Sequence, residues 1–132
     1  MAANTKKQFV IDASYALAFL LPDEYNPQVD AIFNQYRADL IQLISSPLFL
    51  FEVINGLKTA LQRKRINLAY CKNRIEEFLD YGIAIYPIDY MKTFLLADKH
   101  SLTFYDASYV FLAKQKKTQI LSLDKKLQPK FF

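Results

Sequence analysis

The sequence predicts an α/β fold with a central parallel sheet of four to five strands flanked by helices. Its 132 residues suit one domain of ordinary size, which we expect to span residues 1–132. Hydrophobic residues make up 52% of the chain and only 2 residues are Gly, a composition that argues against disorder and simple repeats. Short β-rich runs alternate with helical segments, and this alternation is typical of a parallel sheet covered on both faces.

The first part of the chain predicts a βα unit followed by a second helix and strand. Residues 8–12 are a short β-rich run. An apolar helix over residues 14–21 follows, and Pro22 ends it because proline breaks the helical hydrogen-bond pattern. Residues 27–39 carry apolar side chains at helical spacing, and residues 40–45 are interpreted as the next strand.

The third predicted helix runs from Ser46 to about Arg65. Ser46 and Pro47 resemble an N-cap residue followed by a first-turn proline. Helical spacing of the apolar side chains predicts the buried stripe, which we expect to comprise Leu50, Val53, Ile54, Leu57 and Leu61.

The second half of the chain alternates between helix and strand in the same way. A helix over residues 68–81 carries charged residues on one side, and Gly82 is a plausible C-cap. The remaining predicted elements are a strand at 83–89, helices at 90–100 and 103–116, and a last strand at 119–123.

Composition limits the kinds of site that the chain can build. The single Cys71 cannot form an internal disulfide or a thiolate cluster, and one His100 cannot form a multi-histidine metal site, so oxygen ligands remain. The chain shows neither a signal-peptide core nor the ~18 apolar residues of a membrane span, and we expect a cytoplasmic protein. A net charge of +4 is compatible with a nucleic-acid partner but does not establish one.

Four acidic residues stand where apolar runs end or turn into helices. They are Asp12 after FVI, Glu52 in PLFLFEV, Asp106 in TFYDASYV and Asp124 after QILSL. Carboxylates avoid apolar surroundings, and parallel strands place Asp12 and Asp124 at the sheet edge that binds ligands in open α/β folds. Because four neighbouring carboxylates would repel one another, this pattern predicts a hard divalent cation among them.

Each acid also has a purely structural interpretation. Asp12 can cap the helix that begins near Ser14, and Asp124 can cap a final helical turn. Thr103 and Asp106 have the spacing of a capping box. Glu52 can complement the helix macrodipole, although its apolar neighbours within the second helical turn make this harder to accept.

The face of the helix that carries Glu52 has two further features. Asn55 lies three residues beyond it and Gly56 four, so we expect an amide and an open space beside the carboxylate. This arrangement favours a ligand site.

Four segments resemble, in order and approximate spacing, the acidic motifs of the PIN domain family: FVIDASYALAFL, SSPLFLFEVINGLKTAL, LTFYDASYVFLAKQ and ILSLDKKL. The resemblance covers almost the whole chain, and it is strongest to the VapC toxins of toxin–antitoxin pairs. Each motif is short, so their common order makes the match specific. The resemblance implies a three-layer α/β/α fold and a Mg²⁺- or Mn²⁺-dependent endoribonuclease acting on RNA.

Carried over residue by residue, the acidic positions of the family fall on Asp12, Glu52, Asp106 and Asp124. The hydroxyl that the family commonly has two residues before the last acid is Ser122, and the amide after the glutamate is Asn55. Both are expected to orient carboxylates by hydrogen bonds. Gly56 stands where the family often has Ala, a change that weakens a helix by roughly 1 kcal/mol.

Under this interpretation the four acids hold one or two Mg²⁺ or Mn²⁺ ions, which activate water for attack on a phosphodiester. Asp12 and Asp106 are expected to be ligands, and Glu52 a ligand or the base that orients the water. Asp124 is expected to act directly or through water. Lys125 and Lys126 adjoin Asp124 and are candidates for contacts to RNA phosphates.

Two apolar segments exceed what one small core is expected to bury, namely SYALAFLLP and the C-terminal PKFF. Exposed apolar patches usually mark an interface. We therefore expect a homodimer that also binds a small antitoxin protein, as the resemblance implies.

Other classes of protein fit the sequence less well. A receiver-like domain needs a pair of acids after the first strand, and a phosphatase of the haloacid dehalogenase type needs an Asp where Ser14 stands. A non-catalytic PIN-like module that binds RNA or protein remains the alternative.

Overall fold

The computed structural model of the protein describes residues 6–127. Within these residues, four parallel strands form one sheet in the order β3-β2-β1-β4. The strands are β1 (Lys7–Ile11), β2 (Ile41–Ser45), β3 (Ala84–Ile85) and β4 (Gln119–Leu121). The predicted parallel sheet is therefore confirmed.

In residues 6–127, six α-helices flank this sheet in a three-layer α/β/α arrangement, which confirms the predicted fold class. They are α1 (Ala13–Leu20), α2 (Pro27–Arg37), α3 (Phe49–Gln62), α4 (Leu68–Asp80), α5 (Tyr90–His100) and α6 (Phe104–Lys116). Short 3₁₀ turns lie at Pro22–Glu24 and Lys125–Leu127. Of the helices in residues 6–127, none has both the length and the apolar character that crossing a membrane requires.

Strand β1 lies at the centre of the sheet between β2 and β4, and its position determines where the acids gather. Val10 and Ile11 are fully buried, as expected for a strand with helices on both faces. Ile11 pairs with Leu121 of β4, so Asp12 and the residues that follow β4 emerge at the same carboxyl edge. Ligands of open α/β sheets bind at this edge.

The strand predicted at residues 83–89 is shorter in the structure, where β3 comprises Ala84–Ile85. Its residues are exposed, as expected at the edge of a sheet. Tyr86 still donates its N–H to the Ser45 carbonyl, but Pro87 has no N–H with which to continue the ladder. Gly82 follows α4 with φ +63, in the left-handed region typical of a glycine that ends a helix, which agrees with its predicted capping role.

Ser46 is not the N-cap of α3, so this prediction was wrong. The helix begins at Phe49, and the side chain of the cap residue Leu48 makes no capping hydrogen bond. Ser46 is instead buried and pairs with Ser108, with 2.9 Å between the hydroxyl oxygens. A buried hydroxyl needs a partner, and Ser46 finds it on α6 rather than in its own helix.

The buried stripe of α3 is also rotated from the prediction. Val53 and Leu57 are buried as expected, whereas Ile54 is 37% exposed. Phe49 and Ala60 complete the buried face. Since the N-cap of α3 is Leu48 rather than Ser46, two residues later than predicted, Glu52 lies in the first turn rather than the second.

The space expected beside Glu52 at Gly56 is filled by Leu17 of α1. A Cβ atom on Gly56 would lie 2.9 Å from Leu17 Cδ2 and 3.2 Å from Leu17 Cγ, and closer still to Cδ1. The glycine therefore allows α1 and α3 to approach closely, and the open space predicted from the sequence was wrong.

Helix α1 is not an exposed apolar patch. Tyr15, Ala16 and Leu20 are buried, and the half-buried Phe19 stacks on Phe33 with 4.2 Å between ring centroids. One part of the reasoning that predicted an interface is thus corrected, because the core accommodates this helix. The PKFF segment lies outside the described residues.

Exchanging Gly56 for Ala should reveal the contact with Leu17. In the otherwise unchanged protein, we expect Gly56→Ala to give no gain in stability, because moving Leu17 offsets the helix gain of about 1 kcal/mol. In a Leu17→Ala background, the same exchange should raise the free energy of unfolding by about 1 kcal/mol. Urea unfolding of the four proteins measures this difference.

Gly82→Ala is a suitable control for this cycle. A Cβ at this position meets nothing within 4 Å, but the backbone is left-handed. The exchange should cost about 1 kcal/mol in both backgrounds. Equal effects of Gly56→Ala in the two backgrounds would show that the helices do not depend on this close approach.

Candidate functional site

Asp12 follows β1 and is 4% exposed. Its backbone is extended, and its side chain caps α1 by accepting a hydrogen bond from Tyr15 N at 3.1 Å. The capping interpretation is therefore correct. It does not exclude a functional one, because the same residue also lies at the carboxyl edge of the sheet.

Two hydroxyl groups also hold the Asp12 carboxylate. Ser14 donates to Asp12 Oδ1 at 2.7 Å, and Ser122 donates to Asp12 Oδ2. Ser14 in turn accepts a hydrogen bond from Leu123 N at 3.0 Å, which ties α1 to the segment after β4. Even so, burial raises the pKa of Asp12, these hydrogen bonds oppose the rise, and the Asp124 charge adds a smaller increase.

Ser14 is a residue of the site that sequence reasoning missed. The sequence does contain a signal for this role, because Ser14 places a hydroxyl two residues after an Asp that ends a strand. In the sequence, Ser14 argued only against a phosphatase. Ser122 was expected from the family resemblance, and its hydrogen bond to Asp12 agrees with a carboxylate-orienting role.

Glu52 is half-buried in the first turn of α3. Its Oε1 atom accepts a hydrogen bond from the hydroxyl of Tyr109, a second residue that sequence reasoning missed. Burial raises the pKa of Glu52, the Tyr109 hydrogen bond lowers it, and the charges of Asp106 and Asp12 raise it further. Glu52 therefore does not simply point into water to complement the helix macrodipole.

Asp106 lies in the first turn of α6, after the N-cap residue Thr103. Thr103 Oγ1 accepts a hydrogen bond from Asp106 N at 3.0 Å, so Thr103 supplies its half of the predicted capping box. Burial raises the pKa of Asp106, the charge of Asp124 raises it further, and the charge of Lys126 lowers it.

Asp124 follows β4 and caps the final 3₁₀ turn, as its structural interpretation predicted. Its Oδ1 accepts from Lys126 N at 3.0 Å, and its own N–H donates to Ser122 Oγ at 2.9 Å. Ser122 therefore contacts both Asp12 and Asp124.

The four acids share one electrostatic environment. Asp12 and Asp106 each experience the charge of Asp124, and Glu52 experiences the charges of both. Within residues 6–127, however, no three acidic, histidine or cysteine side chains form a group that could hold a metal ion. The arrangement is a negatively charged cluster that a hydrated cation would stabilise.

The remaining predicted residues lie around this cluster. Asn55 is exposed and lines an open groove together with Glu52 and Lys58. Lys125 and Lys126 are exposed on the 3₁₀ turn after Asp124. Of these two lysines, Lys126 is the one whose charge affects Asp106.

A family model described as the PIN domain matches residues 9–130. The chain belongs to the PIN domain family. The family resemblance seen in the sequence is thus confirmed, although the roles of individual residues stay predictions.

Several proteins that are named ribonucleases are similar in sequence to this PIN domain. Ribonuclease VapC3 of Pyrobaculum aerophilum is 31% identical over 128 residues, covering 94% of this chain and 95% of the relative. VapC ribonuclease Mb0985 of Mycobacterium bovis and Ribonuclease VapC9 of Mycobacterium tuberculosis are each 30% identical over 118 residues, covering 89% of this chain and 87% of theirs.

Two solved structures share the fold of this PIN domain. PAE2754 from Pyrobaculum aerophilum superposes with a TM-score of 0.71 at 22% identity, covering 92% of this chain and 78% of that one. The sarcin-ricin loop cleaving toxin VapC20 of Mycobacterium tuberculosis superposes with a TM-score of 0.60 at 12% identity, covering 89% and 90% of the two chains.

The acids of this PIN domain should oppose folding at neutral pH when no divalent cation is present. The pKa of Glu52 is raised above its ordinary value of 4.5, so the folded protein binds a proton more tightly there than the unfolded chain does. Stability from this group is therefore fully present below 4.5 and is lost as the pH rises through the folded-state pKa.

In EDTA, Glu52→Gln should accordingly be more stable than the unchanged protein at neutral pH, and this advantage should disappear in acid. Urea unfolding across this pH range measures the difference. Glu76→Gln, at an exposed glutamate of α4, serves as the control and should show no such advantage. A Glu52→Gln advantage that grows towards acid would contradict the assigned sign.

Proposed function

We propose that this PIN domain is an endoribonuclease that hydrolyses RNA phosphodiester bonds with the help of a divalent cation, Mg²⁺ or Mn²⁺. The main support is the cluster of Asp12, Glu52, Asp106 and Asp124, because burial and neighbouring negative charge raise the pKa of three of its members. Similarity over most of the chain to proteins named ribonucleases adds to this support.

The donor set suits Mg²⁺ or Mn²⁺. Each acid supplies carboxylate oxygens, the ligands that these hard cations prefer. Mg²⁺ commonly keeps several waters and contacts only one or two carboxylates, so its binding does not require the group of three converging acids that residues 6–127 lack. A cation would also offset the electrostatic repulsion between Asp124 and the carboxylates of Asp12 and Asp106.

In this proposal Asp12 and Asp106 hold the cation. Glu52 either joins them or orients the attacking water, and Asp124 acts directly or through water. Ser122 fixes the Asp12 carboxylate, and Asn55 is proposed to orient Glu52. When bound, the cation supplies a more acidic water and stabilises negative charge on the phosphodiester.

The substrate is proposed to approach over the turn that follows Asp124. Lys125 and Lys126 are exposed there, and ammonium groups attract phosphates. Because the charge of Lys126 acts on Asp106, we propose this lysine for the contact with a phosphate near the scissile bond.

Asp12→Asn and Asp106→Asn should each abolish RNA cleavage while leaving the fold intact. Each variant removes a proposed cation ligand, and a loss of at least about 100-fold in rate is expected. Cleavage of total RNA by the purified protein with Mg²⁺, Mn²⁺ or EDTA is the assay, and circular dichroism checks folding.

Asp98→Asn is the matched control for these variants, because Asp98 is exposed on α5. It should cleave RNA at the original rate. Undiminished cleavage by either active-site variant would show that the site is misplaced. RNA binding without cleavage by the unchanged protein would favour the non-catalytic alternative.

We further propose that the protein is the toxin of a VapBC-type pair and that a small antitoxin protein inhibits it. Expression should then arrest growth, and Asp12→Asn should relieve the arrest because it removes cleavage. Co-expression of the small protein encoded next to it should also restore growth. Arrest that persists in Asp12→Asn would separate toxicity from the proposed nuclease.

We also propose that the protein forms a homodimer. A stable dimer requires an exposed apolar surface that it can bury. Helices α5 and α6 pack together, and the rings of Tyr90 and Phe104 meet edge to face at 6.2 Å. Phe51 of α3 lines a pocket together with Tyr90, Phe104 and Tyr105, and the apolar side chains of Met91, Phe94 and Leu95 are exposed on α5. We call these seven residues the α3/α5/α6 surface.

Phe94→Lys should convert a dimer to a monomer, because it places a charge on the α3/α5/α6 surface. Light scattering at micromolar concentration measures the mass. Tyr25→Lys is the control, since Tyr25 is 67% exposed but does not belong to this surface. A protein that stays monomeric without any substitution would overturn the proposal.

A further inference from the structure

We propose that Tyr109 is a positioning residue for the Glu52 carboxylate, an inference that rests on the proposed nuclease function. Tyr109 lies on α6 and is 1% exposed. Its hydroxyl donates to Glu52 Oε1 on α3, so the bond joins two helices that each carry a proposed site residue.

Core packing alone does not account for this hydroxyl. Tyr109 is among the largest fully buried side chains, and a phenylalanine ring would fill the same volume without introducing a polar atom. Burying a phenol is favourable only when its hydroxyl has a partner. Here the partner is a carboxylate of the acidic cluster, so the hydroxyl serves Glu52 rather than the core.

The direction of this hydrogen bond follows from its chemistry. An ionised carboxylate can only accept, so the phenol proton of Tyr109 points at Glu52. Nearby, Ser108 donates its hydroxyl proton to the Tyr105 carbonyl at 2.7 Å, which leaves its oxygen to accept from Ser46 at 2.9 Å. Ser46 also lies within hydrogen-bonding reach of the Tyr109 hydroxyl, and this contact opposes the rise that burial and Glu52 cause in the pKa of Tyr109.

Helical spacing also places Tyr109 suitably. It lies three residues after Asp106, so both side chains project from the same side of α6. Helix α6 thereby contributes one acid of the cluster and holds another acid that belongs to α3. Hydroxyl groups hold the Asp12 carboxylate in a similar way, since Ser14 and Ser122 donate to its two oxygens.

The consequence concerns the orientation of Glu52. With Oε1 fixed by Tyr109, the carboxylate cannot rotate freely, and its Oε2 atom is presented in a defined direction for a cation or a water. Loss of such a supporting hydrogen bond typically lowers metal affinity or activity by about 10- to 100-fold.

Tyr109→Phe tests this role. The variant keeps the ring and removes the hydroxyl, so its thermal unfolding midpoint should change by no more than about 4 °C. Direct Mn²⁺ binding, followed by electron paramagnetic resonance of the free ion, should weaken by about 10-fold. In RNA cleavage, kcat should fall by about 10-fold while KM stays unchanged.

Tyr36→Phe is the matched control. Tyr36 also donates its hydroxyl, but to the carbonyl of Tyr81 at 2.7 Å rather than to an acid of the cluster. This variant should lose a similar amount of stability and keep its Mn²⁺ affinity and kcat. In a Glu52→Ala background, Tyr109→Phe should cause no further loss of Mn²⁺ binding, because the group that it positions is absent.

The outcomes separate this inference from the proposed function. If the unchanged protein cleaves RNA with Mn²⁺ and Tyr109→Phe matches it in Mn²⁺ affinity and kcat, Tyr109 is not a positioning residue. An equal loss of Mn²⁺ binding with or without Glu52 would also overturn the inference. Failure of the unchanged protein to cleave RNA with either Mg²⁺ or Mn²⁺ would overturn the proposed function itself.

Discussion

The carboxylate of Asp12 is a buried charge at the end of the central strand, and much of the site depends on how the protein accommodates it. An isolated carboxylate in this position would be strongly unfavourable. Donors from two parts of the chain surround it, namely Ser14 and Tyr15 N from α1 and Ser122 from the segment after β4. Accommodating this charge therefore fixes β4, the start of α1 and the loop that carries Asp124 relative to one another.

The general plan of the molecule could be predicted from the sequence because it depends on local patterns. Apolar β-rich runs alternate with amphipathic segments, and parallel strands bring their carboxyl ends to one edge. Asp12 and Asp124 follow such strands, so their meeting could be expected. The order of all four acids then identified the family, even though Asp12 and Asp124 each make the side-chain capping contacts that would explain them individually.

The details that escaped prediction depend on residues distant in sequence. Tyr109 meets Glu52 across 57 positions, and Ser46 meets Ser108 across 62. No periodicity within one segment encodes such pairs. The start of α3 was wrong for a related reason, because Ser46 and Pro47 formed a convincing local capping signal that a tertiary hydrogen bond overrides.

The contact between Gly56 and Leu17 has a consequence for how this fold can vary. Helix α1 starts from Asp12, and α3 carries Glu52. The packing of Leu17 against Gly56 therefore sets the distance between these two acids, although neither acid takes part in that packing. Side-chain volumes at these two positions are consequently interdependent, and acceptable changes should occur in compensating pairs. Such paired exchanges offer a way to adjust the spacing of the carboxylates while their chemical identities stay the same.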